Sequence, residues 1–122
     1  MKESYAAILL LTVALLLVGC QSSSQSQVDE RLSAMNSLRR LALGCHMYAD
    51  DNDGMLPNTM TGLQPYVVEL FDPEAYVLVA SGKLREIENS SNAVLLRQKE
   101  LLPDGQQAVA FVDGHVEIVP VQ

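Results

Sequence analysis

Tryptophan is absent from this chain, phenylalanine occurs twice and tyrosine four times. Any core must therefore be assembled from Leu, Val, Ile, Met and Ala, with few aromatic anchors to fill large gaps. Basic residues are scarce as well: eight Lys and Arg stand against fifteen Asp and Glu, for a formal net charge of −7. The acids are scattered rather than gathered in a tail, and no stripe of Lys or Arg offsets them. Such a surface repels a polyanion, so nucleic acid is excluded as a partner. The adjacent Arg39 and Arg40 read as the wet face of a helix rather than a phosphate site.

The chemistry-bearing residues are few. There are two histidines and two cysteines. No GxSxG, HExxH, P-loop or GxGxxG pattern occurs among the 122 residues. A nucleophile–base pair therefore has little material. Asp113 and Glu117 could form an acid pair on paper, but turn acids are common and nothing in the sequence puts a cleft around them. The chain is not expected to be an enzyme.

No apolar run is long enough to span a bilayer. The longest, residues 5–18 (YAAILLLTVALLLV), has fourteen residues, whereas a ~30 Å hydrocarbon layer needs about 20 in a helix. It suits the apolar region of a secretion signal, typically ~7–15 residues. Lys2 and the α-amino group supply positive charge before it, and Glu3 partly offsets them. The run ends in Leu17-Val18-Gly19-Cys20, with a small residue beside the cut that a signal peptidase requires. This tetrapeptide resembles the bacterial lipobox. The resemblance implies a signal peptide over residues 1–19, cleavage between Gly19 and Cys20, and a diacylglycerol on the Cys20 thiol. The rival reading is an uncleaved signal anchor with an incidental cysteine, and the shortness of the run counts against it. Two or more acyl chains, palmitate among the candidates, would hold such a protein stably, since one chain alone gives marginal binding.

Residues 21–27 (QSSSQSQ) are polar, uncharged and low in complexity, so they are expected to form a mobile tether after the lipidated cysteine. By the sorting rule that accompanies the lipobox resemblance, Gln21 rather than Asp implies an outer-membrane location, facing the periplasm or the surface. Roughly 100 residues remain, enough for one modest core. Acylation of Cys20 would leave Cys45 without a pairing partner.

From Val28 the pattern is helical. Val28, Leu32, Met35, Leu38, Leu41, Ala42, Cys45 and Tyr48 recur at steps of three and four, one stripe of an amphipathic helix. Asp29 and Glu30 suit its start. It should stop near Ala49, where Asp50-Asp51-Asn52-Asp53-Gly54 supplies turn formers and Pro57 resists continuation. Cys45 lies on the stripe, so a buried and inert thiol is expected rather than a reactive or metal-bound one. Residues 61–71 should hold a short helical turn with Leu63, Tyr66, Val67 and Leu70 inward. Residues 75–80 (AYVLVA) and 93–96 (AVLL) read as strands, the first introduced by Asp72-Pro73.

The C-terminal segment is the clearest. Residues 108–112 and 115–119 flank Asp113-Gly114, the composition of a two-residue type I′ hairpin turn. That turn would put Phe111 opposite Val116 and Val109 opposite Ile118, all four on one face, with Ala110 and Glu117 on the other. Asp113, Gly114 and His115 thus form a hairpin turn motif.

The acidic run invites a calcium reading. An EF-hand loop needs an acid at positions 1, 3 and 5, Gly at 6 and Glu at 12. With Gly54 at the sixth position, Ala49 falls at the first and Met60 at the twelfth, so this is not an EF-hand. Asp50, Asp51 and Asp53 remain a weak, irregular Ca²⁺ candidate beside the plainer reading of a solvated helix stop. Cys45 and His46 point about 100° apart on a helix and cannot chelate together comfortably. His46 reads as a surface helix residue and His115 as a half-exposed strand residue. No metal or other cofactor is expected, apart from covalent lipid on Cys20.

Three segments succeed one another in order: NSLRRLALGCHMYADDNDGMLP, LREIENSSNAVLL and VAFVDGHVEIV. Together, over about residues 28–119, they resemble the pilin-related proteins abundant in planctomycetes, often described by an H-X9-DG motif. In that family the helix ends in a Tyr–acidic–Gly–Pro segment, matched by Tyr48, Asp50, Asp51, Gly54 and Pro57. The sheet closes with a Phe-x-Asp-Gly-His-Val hairpin, matched by Phe111, Asp113, Gly114, His115 and Val116. Two departures matter. The prepilin leader and retained filament-packing helix of those relatives are replaced by the lipobox. The motif histidine, ten residues before the Asp-Gly, falls on Pro103, so its role does not carry over.

The expectation is therefore an α+β domain over residues 28–122. One N-terminal amphipathic helix would pack on a small, mainly antiparallel sheet of about three or four strands ending in a β-hairpin, as in pseudopilin heads. The leading functional expectation is a non-catalytic envelope lipoprotein, held to the membrane by lipid. Its head would bind other envelope proteins, with pseudopilins and type II secretion components as the partners the resemblance implies. The alternatives are a free-standing ligand- or Ca²⁺-binding lipoprotein and, more weakly, a small envelope hydrolase.

Overall fold

A computed structural model describes residues 25–121 with their side chains. The expected signal peptide (1–19), the cut between Gly19 and Cys20, the acylated Cys20 and the first part of the tether lie outside the described residues. The chain divides into two units, residues 1–30 and residues 31–122. In the first, residues 25–30 are helical with exposed side chains, and Gln25 Nε2 donates to Asp29 Oδ1 at 3.4 Å. Residues 25–27, assigned to the tether from their composition, are thus part of the helix; an uncharged Gln/Ser run can be carried by a helix already formed beside it. Among the described residues no helix is long and apolar enough to cross a membrane.

The second unit is α+β. It combines the C-terminal part of helix α1 (Lys2–Asp51) with a four-stranded antiparallel sheet in the order β1 (Tyr76–Leu78), β2 (Val94–Gln98), β3 (Gln107–Phe111) and β4 (Val116–Val119). Ala34, Leu38, Leu41, Ala42, Cys45 and Ala49 are buried on α1. Their steps of four, three and one trace the single apolar stripe that a 3.6-residue period demands. Val28 and Leu32, expected on the same stripe, are each 51% exposed.

Helix α1 runs two residues past the expected stop. Asn52 Nδ2 donates to the Tyr48 carbonyl at 2.7 Å, and the Gly54 amide donates to the Ala49 carbonyl at 2.8 Å. Asp53 and Gly54 both take positive φ, 57° and 82°. This six-to-one closure satisfies carbonyls that the last turn leaves free. The chain then returns through Leu56 and Pro57, both buried, to a short 3₁₀ helix, Met60–Tyr66. Thr59 Oγ1 caps that helix by accepting from the Gly62 amide.

The sheet is a plain meander, each strand antiparallel to the next. Ala108 and Ala110 on β3 are fully buried and join Leu38, Leu41, Ala42 and Cys45 of α1 in one core with Leu96, Val112 and Val116. Small residues on both helix and strand let the two layers approach without aromatic filler, which suits a chain without Trp. A register shift between Val94 and Leu96 makes Leu95 a bulge residue. Leu95 and Leu96 are both fully buried in consequence, where strict alternation would turn one of them outward. Arg31 pairs with Asp104 and reaches Gln106 Oε1 at 3.2 Å, tying α1 to the β2–β3 connection.

The terminal hairpin exists, but its register differs from expectation by one residue. Ala110 pairs with Val116, Val109 with Glu117 and Ala108 with Ile118. The connection is Val112-Asp113-Gly114: the Gly114 amide donates to the Phe111 carbonyl at 2.9 Å and the Phe111 amide to the His115 carbonyl at 2.8 Å. Only Gly114 takes positive φ, at 97°, whereas a type I′ turn would need it at Asp113 too. The result is a three-residue connection with a glycine bulge. Asp-Gly fits both turns, so its composition does not separate them. The three-residue form wins by burying Val112 and aligning Ala108, Ala110 and Val116 with the core. Val109 and Phe111 therefore belong to the opposite face, with Glu117 and His115.

Candidate functional site

The hairpin turn motif forms a small organised cluster at the tip of the sheet. Asp113 Oδ1 accepts from the His115 amide at 3.1 Å and also contacts His115 Nδ1. These two hydrogen bonds, the backbone one foremost, hold the Asp113 carboxyl below the usual carboxylate range. The other imidazole nitrogen, Nε2, lies 3.5 Å from Glu117 Oε1. His115 is thus bracketed by two carboxylates, and its ring stacks on Phe111 with centroids 4.3 Å apart.

The second histidine reaches the same hairpin from the helix. His46 is half-buried, with Nε2 2.7 Å from the carbonyl oxygen of Val112. The helical pattern places it on the surface, because a single polar residue beside an apolar stripe is usually wet. Here Cys45 faces the core while His46 leans over its edge to satisfy a carbonyl that the turn leaves without a ladder partner. The amides of Val112 and Asp113 donate to the carbonyls of Ala93 and Ser90. The tip is therefore fastened from α1 and from the loop before β2.

The acidic turn does not converge on a cation. Asp50, Asp51 and Asp53 are all exposed. Asp51 Oδ2 accepts from the Tyr66 hydroxyl at 2.9 Å, and this bond to the carboxylate keeps the Tyr66 phenol protonated above its ordinary range. Asp53 is occupied with the left-handed turn. No group of three or more His, Cys, Asp or Glu side chains among the described residues is placed to hold a metal ion. Cys45 is a free, fully buried thiol, and burial pushes its pKa up to about 12. A thiol so far from its thiolate is a poor nucleophile. Pro103, at the position of the family's histidine, lies in the exposed turn before β3.

A second feature runs against the helical count. Residues 67–71 (VVELF) leave the 3₁₀ helix and run along α1. Val67 and Phe71 are half-buried, whereas Val68 and Leu70 are 104% and 98% exposed. Leu70 was expected inward on a helical period. The chain bends at Val68 and Glu69 instead of continuing the helix, and Val68, Glu69 and Leu70 are exposed in succession. Between it and α1 lies a cavity of about 170 Å³. Its walls include Leu41, Phe71 and Tyr76, and Arg40 and Glu69 pair at its mouth.

Comparison with protein families, with curated proteins and with solved structures finds no match to this chain.

Proposed function

We propose that this chain is a non-catalytic, lipid-anchored envelope protein whose pseudopilin-like head binds other envelope proteins, pseudopilins and type II secretion components foremost. The observation that carries the reading is the Leu17-Val18-Gly19-Cys20 tetrapeptide, which closes an apolar run too short to span a bilayer. Support comes from the rest of the chain: a long helix packed on an antiparallel meander that ends in the Phe-x-Asp-Gly-His-Val hairpin. An amphipathic helix backed by a small sheet presents side-chain surface rather than a deep cleft, which suits recognition more than turnover.

Two measurements test it in turn. Metabolic labelling with an alkyne fatty acid should mark the wild-type chain and leave Cys20→Ala unlabelled, with unprocessed precursor accumulating. Normal maturation of Cys20→Ala would overturn the anchor. In-cell crosslinking of the lipidated protein, with detergent extraction and mass spectrometry, should then recover pilin-like or secretion-channel proteins reproducibly. Recovery of the chain alone with bulk membrane proteins would overturn the envelope-partner role.

A further inference from the structure

His115 immediately precedes β4 and Glu117 lies within it, two positions on. A strand's period of two sets both side chains on the outer face of the sheet. Asp113 Oδ1 contacts Nδ1 of the ring, and a carboxylate there takes the Nδ1 proton. The neutral ring then turns a lone pair on Nε2 toward Glu117 Oε1, 3.5 Å away. Two acceptors that face each other call for a cation between them. A proton serves poorly at this separation, because a charge-assisted N–H···O bond closes to ~2.7–2.9 Å. A divalent metal ion serves well. With metal–nitrogen and metal–oxygen bonds of about 2.0–2.2 Å, a tetrahedral angle sets the two donor atoms ~3.4 Å apart.

The rest of the cluster prepares the ring for that task. A carboxylate on the far nitrogen is the usual companion of a metal-bound histidine, fixing its tautomer and raising its basicity. Phe111 stacks on the imidazole, 2° from parallel, and so fixes the ring plane. The imidazole is 38% exposed, so an ion from solution reaches it. Arg97, the cation in register with Glu117, lies two strands away across Val109, about 10 Å in backbone spacing. The net charge of −7 draws cations to the chain. One imidazole with one carboxylate suits Zn²⁺ and its late first-row neighbours, whereas Ca²⁺ and Mg²⁺ prefer all-oxygen sets. We propose that His115 Nε2 and Glu117 Oε1 bind a divalent transition-metal ion at the tip of the hairpin, with Asp113 as the positioning residue. Asp113 is engaged on the far nitrogen, and no group of three ligating side chains forms among the described residues. Water therefore fills the remaining coordination positions, and the site is open and exchangeable, unlike the closed four-ligand set of a structural zinc. It stands independently of the envelope-partner reading.

The test titrates the full-length protein in detergent with ZnCl₂ and follows the ring nitrogens of both histidines by ¹H–¹⁵N NMR. The His115 Nε2 resonance should shift and saturate. His46, whose Nε2 already meets the Val112 carbonyl, should stay in place. Zn²⁺ affinity should fall about tenfold or more in Glu117→Gln, which removes a ligand, and about tenfold in Asp113→Asn, which removes the carboxylate behind the ring. Glu117 is exposed, so Glu117→Gln should melt with the wild type and carries the test even where Asp113→Asn loosens the turn. Asp50→Asn, in the acidic run after α1, should bind Zn²⁺ as the wild type does. Ca²⁺ over the same concentrations should leave the His115 resonances unmoved. A shift that does not saturate, a response centred on His46 or on Asp50–Asp53, or an affinity untouched by Glu117→Gln would overturn the site.

Discussion

The imidazole of His115 lies flat on the phenyl ring of Phe111, their planes 2° from parallel and their centroids 4.3 Å apart. The two residues can face each other only because the hairpin connection has three residues rather than two. The same register turns Ala110 and Val116 inward, where they join the helix-facing core. One backbone choice at Gly114 thus decides both which side chains fill the core and which form the outer cluster around His115.

That register is open to direct measurement. Ala110–Val116 and Ala108–Ile118 are non-hydrogen-bonded pairs, the class in which opposed backbones come closest. NMR should show strong Hα–Hα contacts within both pairs and ring contacts between Phe111 and His115. A contact between Phe111 and Val116 would establish the two-residue turn instead. Gly114→Ala should destabilise the domain by about 1–2 kcal/mol in urea unfolding, because φ at this position is 97° and a Cβ is disfavoured there.

Asp113 gives the hairpin a pH dependence of defined sign. Its folded pKa lies below the unfolded value of about 3.9, through the hydrogen bonds donated by the His115 amide and ring. A depressed carboxyl contributes stability that is present above the unfolded value and is lost as pH falls through the folded one. The melting temperature should therefore drop on acidification below about pH 4, and less steeply in Asp113→Asn. Equal acid limbs in the two proteins would show that the carboxylate does not hold the turn.

The helix, four strands and the turn position were legible in the sequence, because each had its own period or punctuation. Leu38, Leu41, Ala42 and Cys45 are buried as the 3.6-residue stripe requires. Residues 76–78, 94–98, 107–111 and 116–119 are strands close to where β-branched and apolar runs lie. The illegible features depended on choices between near-equal local solutions. Asp-Gly serves two hairpin connections, and the choice was made by Val112 finding a place in the core. His46 looked wet until the fold brought the Val112 carbonyl to it, sixty-six positions away. Leu70 is inward on a helical count, whereas the chain bends at Val68 and Glu69 and leaves it exposed. These are tertiary facts with no local signature.

Cys45 should behave as an inert core group. It is fully buried and its pKa is pushed up to about 12, so native protein at neutral pH presents almost no thiolate. Alkylation by iodoacetamide, monitored on the peptide that carries Cys45, should be slow in buffer and rapid in urea, tracking unfolding. Rapid labelling of native protein would show that α1 opens on its own. Cys45→Ser should cost about 1–3 kcal/mol, since a hydroxyl at this site adds a polar group to an apolar core.

The approach of Val67 to Gly44 predicts a coupling between two substitutions. Replacing a helical glycine by alanine ordinarily stabilises by up to about 1 kcal/mol. At Gly44 the new Cβ would stand 2.9 Å from Val67 Cγ2, inside the distance that real contacts tolerate. Val67 is β-branched and short, so it cannot swing its terminus clear without moving the backbone of its segment. Gly44→Ala alone should therefore give no gain in urea unfolding, while the same change in a Val67→Ala background should stabilise by about 0.5–1 kcal/mol. The difference is a favourable coupling of about 0.5–1 kcal/mol between residues in contact. Simple additivity would mean that Val67 gives way freely. The backbone that carries Val68 and Leu70 would then be loose.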